Sequence, residues 1–239
     1  MKTSSVLADD AIARTSYDPD LPIETALAPA LRLLQTQGCP GDDTSLRTLT
    51  RAVSDTGLLD IGLDALLADA RGGTPAQADA TRGAKALFDA AVADIAALCP
   101  TAARYLRDQR DVMEMLATGR PTIANERLLH ALRRGTVTVV LPAGGQAPLP
   151  GELLPDGGVR IAQVDLPVHG SPLGAALILT VRLPDGTRTV GWTGLVSGQV
   201  IPVTDCGGDE WCGRISLREC TIGPDEVIGA YEDASGAVE

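Results

Sequence analysis

The chain has 239 residues, 44% of them hydrophobic but only 3% aromatic, and a formal net charge of −11. That length supports two modest domains, with a core built mostly from Ala, Leu, Val and Ile. The acidic balance excludes a nucleic-acid surface as the main function, because phosphate binding needs clustered Lys and Arg.

Residues 1–20 carry no long apolar stretch ahead of their acids, so we read a mobile arm rather than a secretory signal. No segment reaches the roughly 18 apolar residues of a membrane span, and no membrane partner is expected. From 21 to 135 the apolar spacing is helical. IETALAPALRLLQTQG runs to a stop at Gly38, and DDTSLRTLTRAVSDTG ends near Gly57. A short helix then closes at Gly72 and Gly73. The Ala-rich run after Thr74-Pro75 predicts a long helix, and the next helix opens at Pro100 and stops at Gly119. PTIANERLLHALRRG completes the set, with Asn125 as N-cap and Gly135 as stop. Its basic end, Arg127 to Arg134, reads as a solvated helix terminus, and His130 as a satisfied helix histidine.

After Gly135 the period changes to two. TVTVVLP, GVRIAQVDLP, GAALILTVRL, TRTVGWTGLV, GQVIPVT and GRISLREC are short, β-branched and bounded by Gly, Pro or Asp. Asp185-Gly186 between two alternating runs predicts a hairpin. Helices followed by strands predict an α+β fold: a helical domain over 21–135, a β-domain over 136–229 and an acidic tail over 230–239. No Gly-rich loop joins a strand to a helix, so dinucleotide and phosphate-loop motifs are absent.

Five cysteines, Cys39, Cys99, Cys206, Cys212 and Cys220, are odd in number and sparse, which predicts free or buried thiols in a reducing cytoplasm. The spacings of the last three fit no zinc pattern, and no metal site is expected. On a single strand Cys212 and Cys220 would share a face.

Three stretches carry a family resemblance. RAVSDTGLLDIGL, then CPTAARYLRDQRDVMEMLATGRPTIANERLLHALRRGTVTVVLP, then VDLPVHGSPLGAALILTVRLPDGTRTVGWTGLV through GRISLRECTIGPDEVIG follow one another as in the first two domains of acyl-CoA dehydrogenases. The likeness covers roughly 21–229 and implies a helical domain followed by an antiparallel, barrel-like β-domain. Departures from the pattern bear on function. The family enters its middle domain through a Thr-Glu-Pro, Gly, Ser-Asp segment that holds flavin and the substrate thioester. Here the place reads VVLPAGGQAPLPG, keeping Pro142, Gly144 and Gly145 but none of the hydroxyls or acids. Where the family has a flavin-stacking aromatic and a hydroxyl residue, this chain has Val168-His169-Gly170-Ser171. The family's C-terminal four-helix domain, with its catalytic carboxylate, has no counterpart, so the resemblance implies lost dehydrogenation and no cofactor.

The candidate site follows from those positions. His169 reads as a general acid/base or a donor to a bound ligand, against a loop histidine bonded to backbone. Ser171 offers a hydroxyl, and the amides of Gly144 and Gly145 offer oxyanion donors beside Pro142. Asp209, with Asp205 and Glu210, offers a carboxylate, although acids so spaced are usually solvated loop residues. Trp211 and Trp192 read as ligand-facing walls, against core filling for each.

Three functions are compatible with this reading. The first is a cofactor-independent enzyme that takes an apolar acyl or polyketide-type substrate through cyclisation, isomerisation or elimination. The second is one subunit of a split dehydrogenase that uses FAD and is completed by a partner chain. The third is a non-catalytic partner of a full-length relative. A homodimer, or association with a related subunit, is expected in each case.

Overall fold

A computed structural model describes residues 23–39, 43–70, 72, 75–143, 146–169, 175–196, 200–202 and 212–230. The expected arm and nearly all of the expected tail lie outside them. Six helices come first: α1 (Ile23–Gln37), α2 (Asp43–Asp55), α3 (Leu63–Ala70), α4 (Pro75–Leu98), α5 (Pro100–Thr118) and α6 (Ile123–Arg133). A 3-10 turn at Leu58–Asp60 links α2 to α3. Gly38, Gly57 and Gly135 end their helices at φ of 76°, 72° and 59°, left-handed values that a Cβ disfavours.

One helix cap differs from expectation. Thr122, not Asn125, caps α6: its Oγ1 accepts the Asn125 backbone N–H at 3.1 Å. Asn125 is buried three residues further on and bonds other elements. At α5 the cap is Cys99, ahead of Pro100. Cys99 is also not a free thiol. The turn at Gly38 brings Cys39 back against the α4–α5 junction, the two Cα atoms stand 5.3 Å apart, and the sulfurs form a disulfide.

The strands are β1 (Val139–Pro142), β2 (Leu149–Pro150), β3 (Glu152–Leu153), β4 (Val159–Ile161), β5 (Val164–His169) and β6 (Ala176–Arg182). They continue as β7 (Arg188–Gly194), β8 (Val200–Pro202), β9 (Cys212–Leu217), β10 (Cys220–Ile222) and β11 (Val227–Ala230). The larger sheet runs β11-β7-β6-β1-β5-β9-β8, with β2 also on β6, and β10-β4-β3 form a second sheet. The predicted hairpin is β6–β7, and Gly186 turns it at φ 87°. The sheet is mixed rather than antiparallel throughout. β1 and β2 run parallel to β6, because the chain passes through β3 to β5 before it returns. Among the described residues it does not close into a barrel. Cys212 and Cys220 fall on different strands in different sheets, and Cys220 is a buried free thiol.

β6 explains why GAALILTVRL is apolar almost without a break: both of its faces are covered. Ala176 and Ile178, with Val139, Val190 and Ile228, pack into one core with the helices. Leu177, Leu179 and Val181 pack with Val140, Leu166 and Ile215 on the other side. The edge at β11 is shielded by the α5–α6 turn, where the Arg120 N–H donates to Ile228 O at 2.6 Å. That approach needs Gly119, since a Cβ there would stand 2.6 Å from Ile228 O.

Candidate functional site

β1 makes the cleft. Its first residues, Val139 and Val140, pair with β6, and its last, Leu141 and Pro142, pair with His169 and Val168 of β5. The sheet therefore forks at Leu141, and β2 takes up the place on β6 that β1 leaves, at Leu149 opposite Val181. Between the branches and α5 lies a cavity of about 630 Å³.

Its sheet wall is Leu141, Pro142, Ala143, Leu166, Ile178 and Leu179. Its helix wall is Asp111, Glu114, Met115 and Thr118, which recur at helical spacing along one face of α5. Leu66 of α3 and Gln146 contribute at the edges. Among the described lining residues there is no Lys, no Arg and no aromatic ring, and the two ionisable groups are both carboxylates.

α5 is held against the sheet by its own polar side chains. Gln109 is buried, donates through Nε2 to Val139 O at 3.2 Å and accepts the Val139 N–H on Oε1 at 3.0 Å. One amide thus supplies the two bonds a neighbouring strand would give. Arg110, 3% exposed, donates to Leu59 O and to Glu114 Oε1, the latter at 2.8 Å, and lies 5.5 Å from the Phe88 ring centroid. The Glu114 carboxylate is therefore oriented by a buried cation. Asp111 stands one turn earlier, with no ion pair or hydrogen bond to the described residues. Its side chain reaches solvent, yet atoms crowded around the carboxyl desolvate it and push its pKa above the ordinary value. The Glu114 charge adds to the rise and Lys85 opposes it, with weaker contributions from Asp89 upward and Arg110 downward.

Of the residues singled out in the sequence, Pro142 lines the cleft. His169 lies at the end of β5, opposite Leu141, and its Nε2 is 2.8 Å from Arg104 Nη2 on α5. A guanidinium has only donors, so Nε2 accepts and the ring proton sits on Nδ1. Trp192 lies away from the cleft. Its Nε1 donates to Asn125 Oδ1 at 2.9 Å and its ring packs on the shared core. Gly144, Gly145, Ser171, Asp209 and Trp211, with Asp205 and Glu210, lie outside the described residues. His130 is exposed in the last turn of α6.

Missing from the sequence reading was α5 itself as a cleft wall. The signal was present in RDVMEMLAT, where Asp111, Glu114, Met115 and Thr118 mark one face of the helix and Val112, Met113, Leu116 and Ala117 its buried one. No strong metal cluster of His, Cys, Asp or Glu occurs among the described residues, and no helix among them is long and apolar enough to cross a membrane.

Helices packed on a forked sheet with a cleft between them define an acyl-CoA dehydrogenase-like fold. Among solved structures, butyryl-CoA dehydrogenase from Megasphaera elsdenii superposes with a TM-score of 0.62 at 14% identity, over 89% of this chain and 60% of its own. Dibenzothiophene monooxygenase from Paenibacillus sp. A11-2 gives 0.54 at 16%, over 85% and 53%, and has also been solved with FMN bound. FkbI, described as serving biosynthesis of the methoxymalonyl extender unit of a polyketide immunosuppressant, gives 0.54 at 14%, over 84% and 58%. This chain thus spans a little over half the length of these neighbours. No protein-family model and no curated protein matches its sequence.

Proposed function

We propose that the chain binds an apolar acyl or polyketide-type substrate in the cleft between α5 and the forked sheet, and promotes a non-redox step on it without flavin. The cleft carries this reading. Its volume suits a medium-sized organic ligand, and its walls are mostly apolar. The described lining fits a flavin poorly. It offers no cation for a phosphate and no ring to stack on an isoalloxazine, and its two ionisable groups are both carboxylates. Of the described residues from Leu141 to Leu149, the stretch that resembles the related family's flavin-holding segment, Gln146 alone brings a polar side chain to the wall.

Cyclisation, isomerisation and elimination are the steps such a site can serve. Ring closure asks least of the protein, since holding reacting ends in contact can supply roughly 7–11 kcal/mol of the barrier. A carboxyl on the α5 wall is placed to take or return a proton within hydrogen-bond reach of a bound chain. The likeness to FkbI supports the polyketide side of the proposal as a likeness of fold.

The test has two arms. Purified protein is mixed with FAD or FMN, passed through a desalting column and examined by visible absorption. We expect no retained flavin band. In parallel, binding of an apolar fluorescent dye is measured for the wild type and for Ala143→Trp, which fills the cleft. We expect at least tenfold weaker binding in the variant at an unchanged far-ultraviolet spectrum. Stoichiometric flavin that bleaches with an acyl thioester, or dye binding indifferent to Ala143→Trp, overturns the proposal.

A further inference from the structure

We infer that the Cys39–Cys99 bond is an exchange site for small thiols such as glutathione. A thiolate attacks Cys39 Sγ, expels Cys99 as a thiolate and remains on Cys39 as a mixed disulfide. The site lies outside the cleft, and its failure would leave the proposed function untouched.

The two sulfurs differ in access. Cys39 follows α1 by two residues, beyond the turn in which the Gly38 N–H donates to Leu34 O at 2.9 Å, and it is exposed. Cys99 is the one residue between α4 and α5. It is 0% exposed, and its N–H donates to Ile95 O at 2.8 Å. An incoming sulfur approaches along the S–S axis, so exchange takes place at whichever sulfur solvent reaches. Here that sulfur is Cys39. The recess beside it, of about 60 Å³, has no charged residue among its described lining to repel a thiolate.

The sulfur that departs is placed to accept charge. Cys99 caps α5: its backbone is extended, at φ −153° and ψ 96°, and its Sγ accepts the Ala102 N–H at 3.4 Å. Pro100 opens the helix without an N–H of its own, and the first turn holds no acidic side chain. α5 is 19 residues long, so a thiolate at its head meets the positive end of a full helix dipole. Burial opposes a charge there. The N–H already aimed at the sulfur counters that cost, because the bond strengthens when its acceptor becomes an anion. A stabilised leaving thiolate speeds opening at Cys39. Cys99 also stays in place to reclose the bond by attacking Cys39 and expelling glutathione.

The exchange balances within the thiol couple. In the first step a bond forms between glutathione and Cys39 as the old S–S bond breaks, and its electron pair leaves on Cys99. A second glutathione attacks the bound glutathione sulfur, departs as glutathione disulfide and frees Cys39. Two glutathione thiols lose two electrons, the protein disulfide gains them, and the two protons pass through water to Cys39 and Cys99. Opening unties the end of α1 from the head of α5. The middle of α5 stays on the sheet, because Gln109 bonds both backbone groups of Val139.

The experiment uses the intact chain in its oxidised form. Millimolar glutathione is added near neutral pH, samples are quenched in acid, and free thiols are alkylated and mapped by peptide mass spectrometry. The native bond should open within about tenfold of its rate in the guanidinium-unfolded chain, as for any reachable sulfur. Reduced Cys99→Ser, which keeps a capping oxygen, and reduced Cys39→Ser are then given glutathione disulfide. Glutathione should accumulate on Cys39 of the first roughly tenfold faster than on Cys99 of the second, since modification follows exposure. Thr101→Glu should slow opening about two- to threefold against Thr101→Gln, because it sets a negative charge beside the departing thiolate. A native bond that resists glutathione while the unfolded chain opens readily is a sealed staple, and the inference is wrong. Faster modification of Cys99 than of Cys39 reverses the two sulfurs, and equal rates in the two Thr101 variants remove the head of α5 from the reaction.

Discussion

Asn125 shows how much one side chain can carry between two layers. Its Nδ2 donates to Arg120 O at 3.0 Å and to Val227 O at 3.1 Å, while its Oδ1 accepts from Trp192 at 2.9 Å. All four capacities of a buried amide are nearly used, and the bonds join α6, the α5–α6 turn, β7 and β11. Asn125→Leu keeps the volume but strands the indole N–H and two carbonyls, and should lower stability by about 2–4 kcal/mol. Urea denaturation measures this, and a change under 1 kcal/mol would contradict the bridging role. Asp111 behaves oppositely. Its folded pKa is raised, so the folded state holds the proton more tightly than the unfolded one. Stability is therefore lost as pH rises from the ordinary carboxylate value of 3.8 through the folded value. Asp111→Asn should melt higher than wild type at pH 7, by about 1–2 °C after allowance for its exposure to solvent. Below pH 4 the two should coincide, and thermal melts across pH 3 to 8 would expose a wrong sign.

Elements were legible to the degree that their signals are local. The turn glycines, Pro75, Pro100 and the Asp185-Gly186 hairpin act through their own backbone preferences, and the structure places a helix end, a helix start or a turn at each. The N-cap of α6 was misread because Thr122 and Asn125 are both good capping types, and burial of Asn125 beneath β7 and β11 determines its role. The disulfide escaped for a related reason. Cys39 and Cys99 are 60 residues apart, and nothing in either neighbourhood declares the other. Closing a loop of that length is worth about 2–4 kcal/mol. Cys39→Ser should melt below the wild type in oxidising buffer, and dithiothreitol should bring the wild type down to the variant. Equal melting temperatures in both buffers would show that the bond does not form in solution.

For the molecule as a whole, the layers are two in sequence and one in packing. Leu106, Met113, Leu116 and Leu129 of the helices share a core with Val139, Ile178, Val190 and Ile228 of the sheet. Helical far-ultraviolet signal and the near-ultraviolet signal of Trp192 should therefore be lost in one transition. Two separated midpoints would mean that the layers fold independently. The α+β class and the order of the elements followed from the sequence, because periodicity and turn chemistry act between neighbours in the chain. The likeness to acyl-CoA dehydrogenases was carried by that same order. Pro142 lines the cleft because it ends β1, where that strand pairs with β5. Only the tertiary structure decided that β1 leaves β6 for β5, that α5 faces the fork, and that Asp111 and Glu114 become the polar wall of the cleft. Those facts depend on strand pairing between distant segments, and the energies that set it come from burial of whole faces rather than from any short run of residues.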